Sequence, residues 1–203
     1  MSYNSNKPTY VHALILAAFS AGFGSLLAFT DLFTDEPIKQ RRIEDLQNSL
    51  VQVLPPAIYD NNPALDTVML PGEDGKELKI YRATKAGKVT GVAYETYGQG
   101  YAGQIKIIMG VDPEGKILGV RAVQHKETPG LGDKIEPKKG PWILQFNGLS
   151  IDNPPPNMWK VKKDGGQFDQ FSGATITPRA VVTGIRKGLE FFSANKPKLL
   201  EAN

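Results

Sequence analysis

Cysteine is absent from this 203-residue chain, and histidine occurs only as His12 and His125. The first absence excludes disulfides, thiolate nucleophiles and cysteine-held zinc or iron–sulfur centres. Two histidines also fall short of a multi-histidine metal site, so no metal ligand and no catalytic side chain is assigned. Any redox chemistry must then come from a bound organic cofactor. An excess of one charge is lacking too: 24 Lys and Arg stand against 21 Asp and Glu, a formal net charge of +3. The cations are scattered and form no basic stripe with interleaved aromatics, so nucleic acid is not an expected partner. No P-loop ending of the Gly-Lys-Ser/Thr type occurs. There is no internal repeat, and only one long apolar run.

That run is Pro8 to Thr30, which carries no charged side chain and is rich in Ala, Leu, Ile, Phe and Gly. It is long enough to span a bilayer with some tilt, and it exceeds a signal-peptide core while lacking a basic leader. The expected organisation is an N-terminal tail over 1–9, a single transmembrane helix over 10–33 and an amphipathic connecting helix over 37–54. That second helix carries Ile43, Leu46, Leu50, Val53 and Leu54 on one face and ends at Pro55-Pro56. Membrane lipid is the partner this implies. Counting Lys and Arg alone, Lys39, Arg41 and Arg42 against Lys7 favour a cytoplasmic C-terminal domain.

A soluble domain over 55–195 follows, with a tail over 196–203 expected to fray. Strands are read at 68–70, 77–83, 88–97, 105–111 and 117–124. Asp74-Gly75, Ala86-Gly87 and Asp112-Pro113-Glu114-Gly115 mark turns between them, and Gly98-Gln99-Gly100-Tyr101 is a glycine-rich bend. Tight turns between successive strands imply a mostly antiparallel sheet. Val181, Val182, Ile185, Leu189 and Phe192 recur at helical spacing, so a helix over 178–194 should cover one face. The fold class is α+β.

Two stretches stand out for chemistry. The first is Asp169-Gln170-Phe171-Ser172-Gly173-Ala174-Thr175-Ile176-Thr177-Pro178-Arg179. Thr177 is the expected N-cap and Pro178 the first helical residue, which leaves Thr175 beside unpaired backbone donors at the positive end of a helix. Such a place suits a phosphate, although small and hydroxyl residues before a helix commonly serve as a cap alone. The second is His125-Lys126-Glu127-Thr128-Pro129-Gly130-Leu131-Gly132, where two glycines let backbone approach a flat or bulky group and Leu131 stays presented. His125 at a strand end is read as a satisfied polar residue. Lys160-Val161-Lys162-Lys163-Asp164-Gly165-Gly166 reads as a solvated charged strand.

Asp-x-x-Ser-Gly-Ala-Thr, here Asp169 to Thr175, resembles the attachment motif of the FMN-binding domain family. Together with the 125–136 and 159–166 runs it makes the whole chain similar to the RnfG (RsxG) proteins of the Rnf ion-translocating electron transport complexes. The resemblance implies FMN held covalently by a phosphoester on Thr175, with Ser172, Gly173, Ala174 and Thr177 around the phosphate and Asp169 serving flavinylation. It also implies that the stretch with Glu127, Thr128, Gly130, Leu131 and Gly132 lines the flavin pocket; within it we expect Gly130, Leu131 and Gly132 along the ring and Glu127 and Thr128 at its polar edge. Further implications are a periplasmic soluble domain on a bacterial inner membrane, other membrane proteins of the complex as partners and a flavin transferase during maturation. The role implied is electron relay between NADH and ferredoxin coupled to Na⁺ or H⁺ movement, not a complete enzyme. On orientation we follow the resemblance over the charge count.

Three other readings stay open. The related FMN-bearing NqrC protein of a sodium-pumping NADH:quinone reductase is one. A structural or assembly protein of the membrane would be colourless, its Ser-Gly-Ala-Thr turn only a cap. A free-standing flavin reductase would need a dinucleotide-binding fingerprint.

Overall fold

The computed structural model of the chain describes residues 9–72, 75 and 77–201. They form two compact units divided between Asp45 and Leu46. In the first, helix α1 (Thr9–Val53) begins at the apolar run and continues to its last two turns in the second unit. Tyr10–Asp31 is long and apolar enough to cross a membrane, and none of it is buried by protein. Leu16, Phe19, Phe23, Leu27 and Phe29 are all exposed. Left in water, each such side chain forgoes about 1.5–3 kcal/mol of burial, so a non-aqueous surrounding is what this surface suits. Thr30 and Thr34 donate their hydroxyls to the carbonyls of Leu26 and Thr30 at 2.7 and 2.9 Å, which removes unpaired donors near the end of the run.

The expected break between 33 and 37 does not occur. The backbone is helical through Pro37; a proline lacks one N–H, and the flanking turns carry the helix past it. Ile43, expected on the buried face, is exposed. The expected N-terminal tail lies, apart from Thr9, outside the described residues.

The second unit is built on a five-stranded antiparallel sheet in sequence order: β1 (Thr67–Pro71), β2 (Glu77–Lys85), β3 (Lys88–Gln99), β4 (Gln104–Val111) and β5 (Ile117–Gln124). The β1–β2 connection is expected at Asp74-Gly75; Glu73, Asp74 and Lys76 lie outside the described residues, and Gly75 has φ 74°. Both sheet faces are covered, so β2, β3 and β4 hold runs of consecutive buried residues in place of simple alternation. On one face Leu50, Val53 and Leu54 meet Tyr81, Ala83, Ala93 and Ile108. On the other, helix α2 (Ile176–Leu200) brings Val181, Val182, Ile185, Leu189 and Phe192 against Ile80, Val92, Tyr94, Ile107 and Met109. Tyr94 and Thr96 donate their hydroxyls to the α2 carbonyls of Gly188 and Gly184, each at 2.7 Å. Burial pushes the Tyr94 phenol well up from its ordinary value, so it remains a donor.

The expected frayed tail is instead docked. α2 runs through Pro197 to Leu200, and Leu199 is fully buried. Buried Arg82 donates Nη1 to the Glu201 carbonyl at 2.8 Å and Nε and Nη2 to Asp66 at 2.9 and 2.6 Å. Burial of one leucine and capture by one guanidinium outweigh the end-fraying that polar composition suggests; Ala202 and Asn203 lie outside the described residues. Arg82→Ala should lower stability by about 2 kcal/mol, less than for a fully buried pair because Asp66 is part-exposed. Urea denaturation of the full chain in detergent reads this directly, and a loss below about 0.5 kcal/mol would refute it.

Gly98, Gly100 and Gly103 do carry Gly-x-Gly-x-x-Gly spacing. They join antiparallel β3 to β4 and open no helix, so they are not a dinucleotide-binding turn.

Candidate cofactor site

The path into the attachment motif is set by aromatic packing. Phe146 stacks on Phe168 at 4.7 Å and on Trp159 at 6.3 Å, while Trp142 packs edge-on against Phe171 at 5.1 Å. Trp142 also donates Nε1–H to the carbonyl of Asp169 at 2.8 Å. With Phe168 and Phe171 buried, the chain between them is pinned at both ends. It then turns sharply: the Ala174 amide donates to the Phe171 carbonyl at 3.2 Å, and Gly173 at φ 80° supplies the left-handed third position. Ser172 and Gly173 are exposed; Ala174 and Thr175 are half-buried.

α2 starts two residues before the expected place. Thr175, at φ −68° and ψ −28°, is the N-cap residue, and its side chain makes no capping hydrogen bond. Its carbonyl accepts from the Arg179 amide at 3.4 Å, so the backbone is used by the helix while the hydroxyl is not. The opening N–H groups of a helix have no intrahelical partner, and an anion there meets donors and a favourable dipole. Thr177, expected as the cap, lies in the first turn instead, fully buried, with its hydroxyl donating to Glu127 Oε2. Tertiary pairing with a buried carboxylate has overridden a local capping preference.

Charges beside the motif are paired. Lys162 Nζ lies 2.6 Å from Asp169 Oδ1, and Arg179 forks onto Asp164 at 2.6 and 2.8 Å. Lys160 and Lys163 are exposed. The Arg179 guanidinium holds the Asp164 carboxyl below its ordinary value of about 3.9. Because that pKa is depressed on folding, the pair contributes above the unfolded value and is lost only as pH falls through the lower folded one. A carbon-detected NMR titration should therefore show Asp164 protonating below its ordinary range, and Arg179→Gln should return it to that range.

The 125–132 stretch sits against this motif. Amides of Leu131 and Gly132 donate to the Thr128 carbonyl at 3.1 and 3.0 Å, and Gly130 needs glycine for φ 77°. Leu131 is 42% exposed, and its Cδ2 lies 3.4 Å from where a Cβ on Gly173 would sit. Leu131 thus presents apolar surface beside the Ser-Gly-Ala-Thr turn. Thr128, next to buried Glu127, is itself exposed at the start of the turn. Glu127 is buried, and both its oxygens are taken by Thr177 and by the Ala102 amide, the latter at 3.0 Å. The geometry leaves it facing the protein, away from an edge role toward a ring. Gly132 likewise makes its close approach to Glu127 and Thr177. His125 is satisfied on both nitrogens: Nδ1 accepts from the Glu127 amide at 3.3 Å and Nε2 faces Glu136 at 3.2 Å. Local pattern marks the 100–103 loop only as a bend, and nothing in it points to the 125–132 stretch. Trp142 escapes sequence reasoning for the same reason.

A family model described as "FMN-binding domain" matches residues 100–190, spanning both stretches. A second, "RnfG N-terminal region", matches residues 1–53. The G component of the ion-translocating oxidoreductase complex from Cereibacter sphaeroides is 49% identical over 190 residues, covering 94% of this chain and 87% of that protein. The chain belongs to the RnfG family of ion-translocating oxidoreductase complexes. The same-named protein of Shewanella loihica is 42% identical over 194 residues, covering 93% and 92%. The fold is shared with NqrC of Shewanella oneidensis, at TM-score 0.50 and 23% identity over 74% of this chain and 73% of that one. It is shared also with the C component of the Na(+)-translocating NADH-quinone reductase of Parabacteroides distasonis, at TM-score 0.54 and 19% identity over 81% and 96%. At those identities the likeness is one of fold.

The family's cofactor fits the residues present. An uncapped, half-exposed threonine hydroxyl stands at a helix N-terminus, and exposed Leu131 lies beside the adjoining turn. That arrangement offers a hydroxyl and helix N-terminal donors for a phosphate and an apolar contact for a ring.

Proposed function

We propose that the chain is a membrane-anchored electron carrier whose FMN is joined by a phosphoester to Thr175. The observation that carries this is the state of the two motif threonines: Thr177 has its hydroxyl committed and buried, whereas the Thr175 hydroxyl is uncapped and half-exposed. Bound FMN supplies a ring able to take up and return electrons. The residues of the chain anchor it: α2 offers its N-terminal donors to the phosphate, Gly173 shapes the turn, and Leu131 gives apolar contact. Thr128, Gly130 and Gly132 set the position of Leu131. Asp169, held by Lys162, serves recognition by the flavin transferase.

In this reading α1 anchors the chain in the lipid of a bacterial inner membrane, with the second unit on the periplasmic side. Other membrane proteins of the complex deliver and accept electrons through the ring, and the assembly couples NADH–ferredoxin electron transfer to Na⁺ or H⁺ translocation. The test is the intact mass of the chain purified from native membranes and denatured. A gain of one FMN less one water, with ultraviolet fluorescence in the denatured band, is the expected result. A bare mass despite an active flavin transferase would leave a purely structural role.

A further inference from the structure

Glu127 is buried with 5% exposure, and a carboxylate so placed must be met by donors. Its donors come from two distant parts of the chain, the Ala102 amide and the Thr177 hydroxyl. The space around it is made by two glycines. A Cβ on Gly100 would lie 2.5 Å from Oε1, and one on Gly132 would lie 2.8 Å from the Glu127 Cβ and 2.9 Å from the Thr177 hydroxyl oxygen. The carboxylate therefore joins the 100–103 loop, the 128–132 turn and the first turn of α2.

We propose that Glu127 is a positioning residue of the attachment site: by holding Thr177 and the Ala102 amide it fixes the start of α2 against the 128–132 turn, and it selects the Thr175 hydroxyl by withholding that of Thr177. This rests on Thr175 being the attachment residue. Thr177 lies two residues beyond Thr175, so clamping it sets where the Thr175 side chain stands. In the transfer the Thr175 oxygen attacks the flavin-side phosphorus of a flavin dinucleotide, the pyrophosphate P–O bond breaks, the nucleoside monophosphate leaves and the hydroxyl proton passes to solvent. That hydroxyl reacts fastest when it is held near attack geometry, and a loosened helix start spreads it over unproductive positions.

The test compares Glu127→Ala and Thr177→Val with the conservative Glu127→Gln and Thr177→Ser in the full chain in detergent. A glutamine can accept from Ala102 through its oxygen and pair with Thr177 through its amide, so it keeps the clamp. Two readouts are taken: amide hydrogen exchange, and the rate of FMN mass gain with a flavin transferase. Glu127→Ala and Thr177→Val should each raise exchange at both 100–103 and 175–181 by about tenfold or more, with β2 and β3 unchanged, and slow the mass gain by a similar factor. Glu127→Gln and Thr177→Ser should stay within about threefold of the unmutated chain.

Unchanged exchange at either segment in Thr177→Val overturns the proposal, as does mass gain at the unmutated rate despite loosened exchange. If Glu127→Ala loses protection throughout the sheet, Thr177→Val decides by the same readouts. An unmutated chain that never gains mass overturns the attachment reading and the positioning role together; normal loading of the two disruptive variants overturns the positioning role alone.

Discussion

Thr175→Ala should carry no covalent flavin, with neither the mass of FMN less one water nor fluorescence in the denatured band. Under the proposed phosphoester the effect is all or none, because that bond needs an oxygen nucleophile at that position. The neighbouring hydroxyls do not replace it: Thr177 is buried and bonded to Glu127, and Ser172 sits at the exposed front of the turn, ahead of Gly173 and away from the helix start. Folding should be almost untouched, since Thr175 makes no side-chain cap bond whose loss would cost the usual ~1 kcal/mol. Thr175→Ser, which restores a hydroxyl, should recover attachment. Equal mass gain in Thr175→Ala and the unmutated chain would move the attachment elsewhere in the motif.

Gly110→Val should destabilise the second unit by about 3 kcal/mol or more, or prevent its folding. Gly110 lies in β4 where the end of α1 crosses the sheet. A Cβ there would run into the Val53 carbonyl oxygen and lie 2.8 Å from its carbon. Backbone cannot step aside as a flexible side chain does, so the helix end would have to lift. That would expose Leu50, Val53 and Leu54 together with their partners Tyr81, Ala93 and Ile108. Gly119→Ala, meeting the Gln52 carbonyl at 2.8 Å, should cost less. Gly140→Ala is the control: nothing lies within 4 Å and its φ is not positive, so its effect should stay within about 0.5 kcal/mol. Urea midpoints of the three full-length variants in detergent give the order, and a Gly110→Val midpoint equal to that of Gly140→Ala would refute it.

Local pattern suffices for the single apolar run, the five strands with their turns, the amphipathic face of α2 and the place of the Ser-Gly-Ala-Thr turn. Those features depend on periodicity and on turn residues such as Asp112-Pro113-Glu114-Gly115, whose preferences act within a few positions. The 125–132 and 169–179 stretches also stand out as motifs, although their contact does not. Long-range contacts set the rest. Pro37 does not break α1, and the chain after Lys196 is held because Leu199 finds a buried site and Arg82 finds the Glu201 carbonyl. Above all, the capping preference of Thr177 gives way to a carboxylate 50 positions earlier in the chain. A cap bond to the helix's own backbone is worth about 1 kcal/mol, whereas an unmet buried carboxylate costs several. Only the folded chain brings Glu127 within reach of Thr177, and that pairing leaves Thr175 as the threonine with a hydroxyl to give.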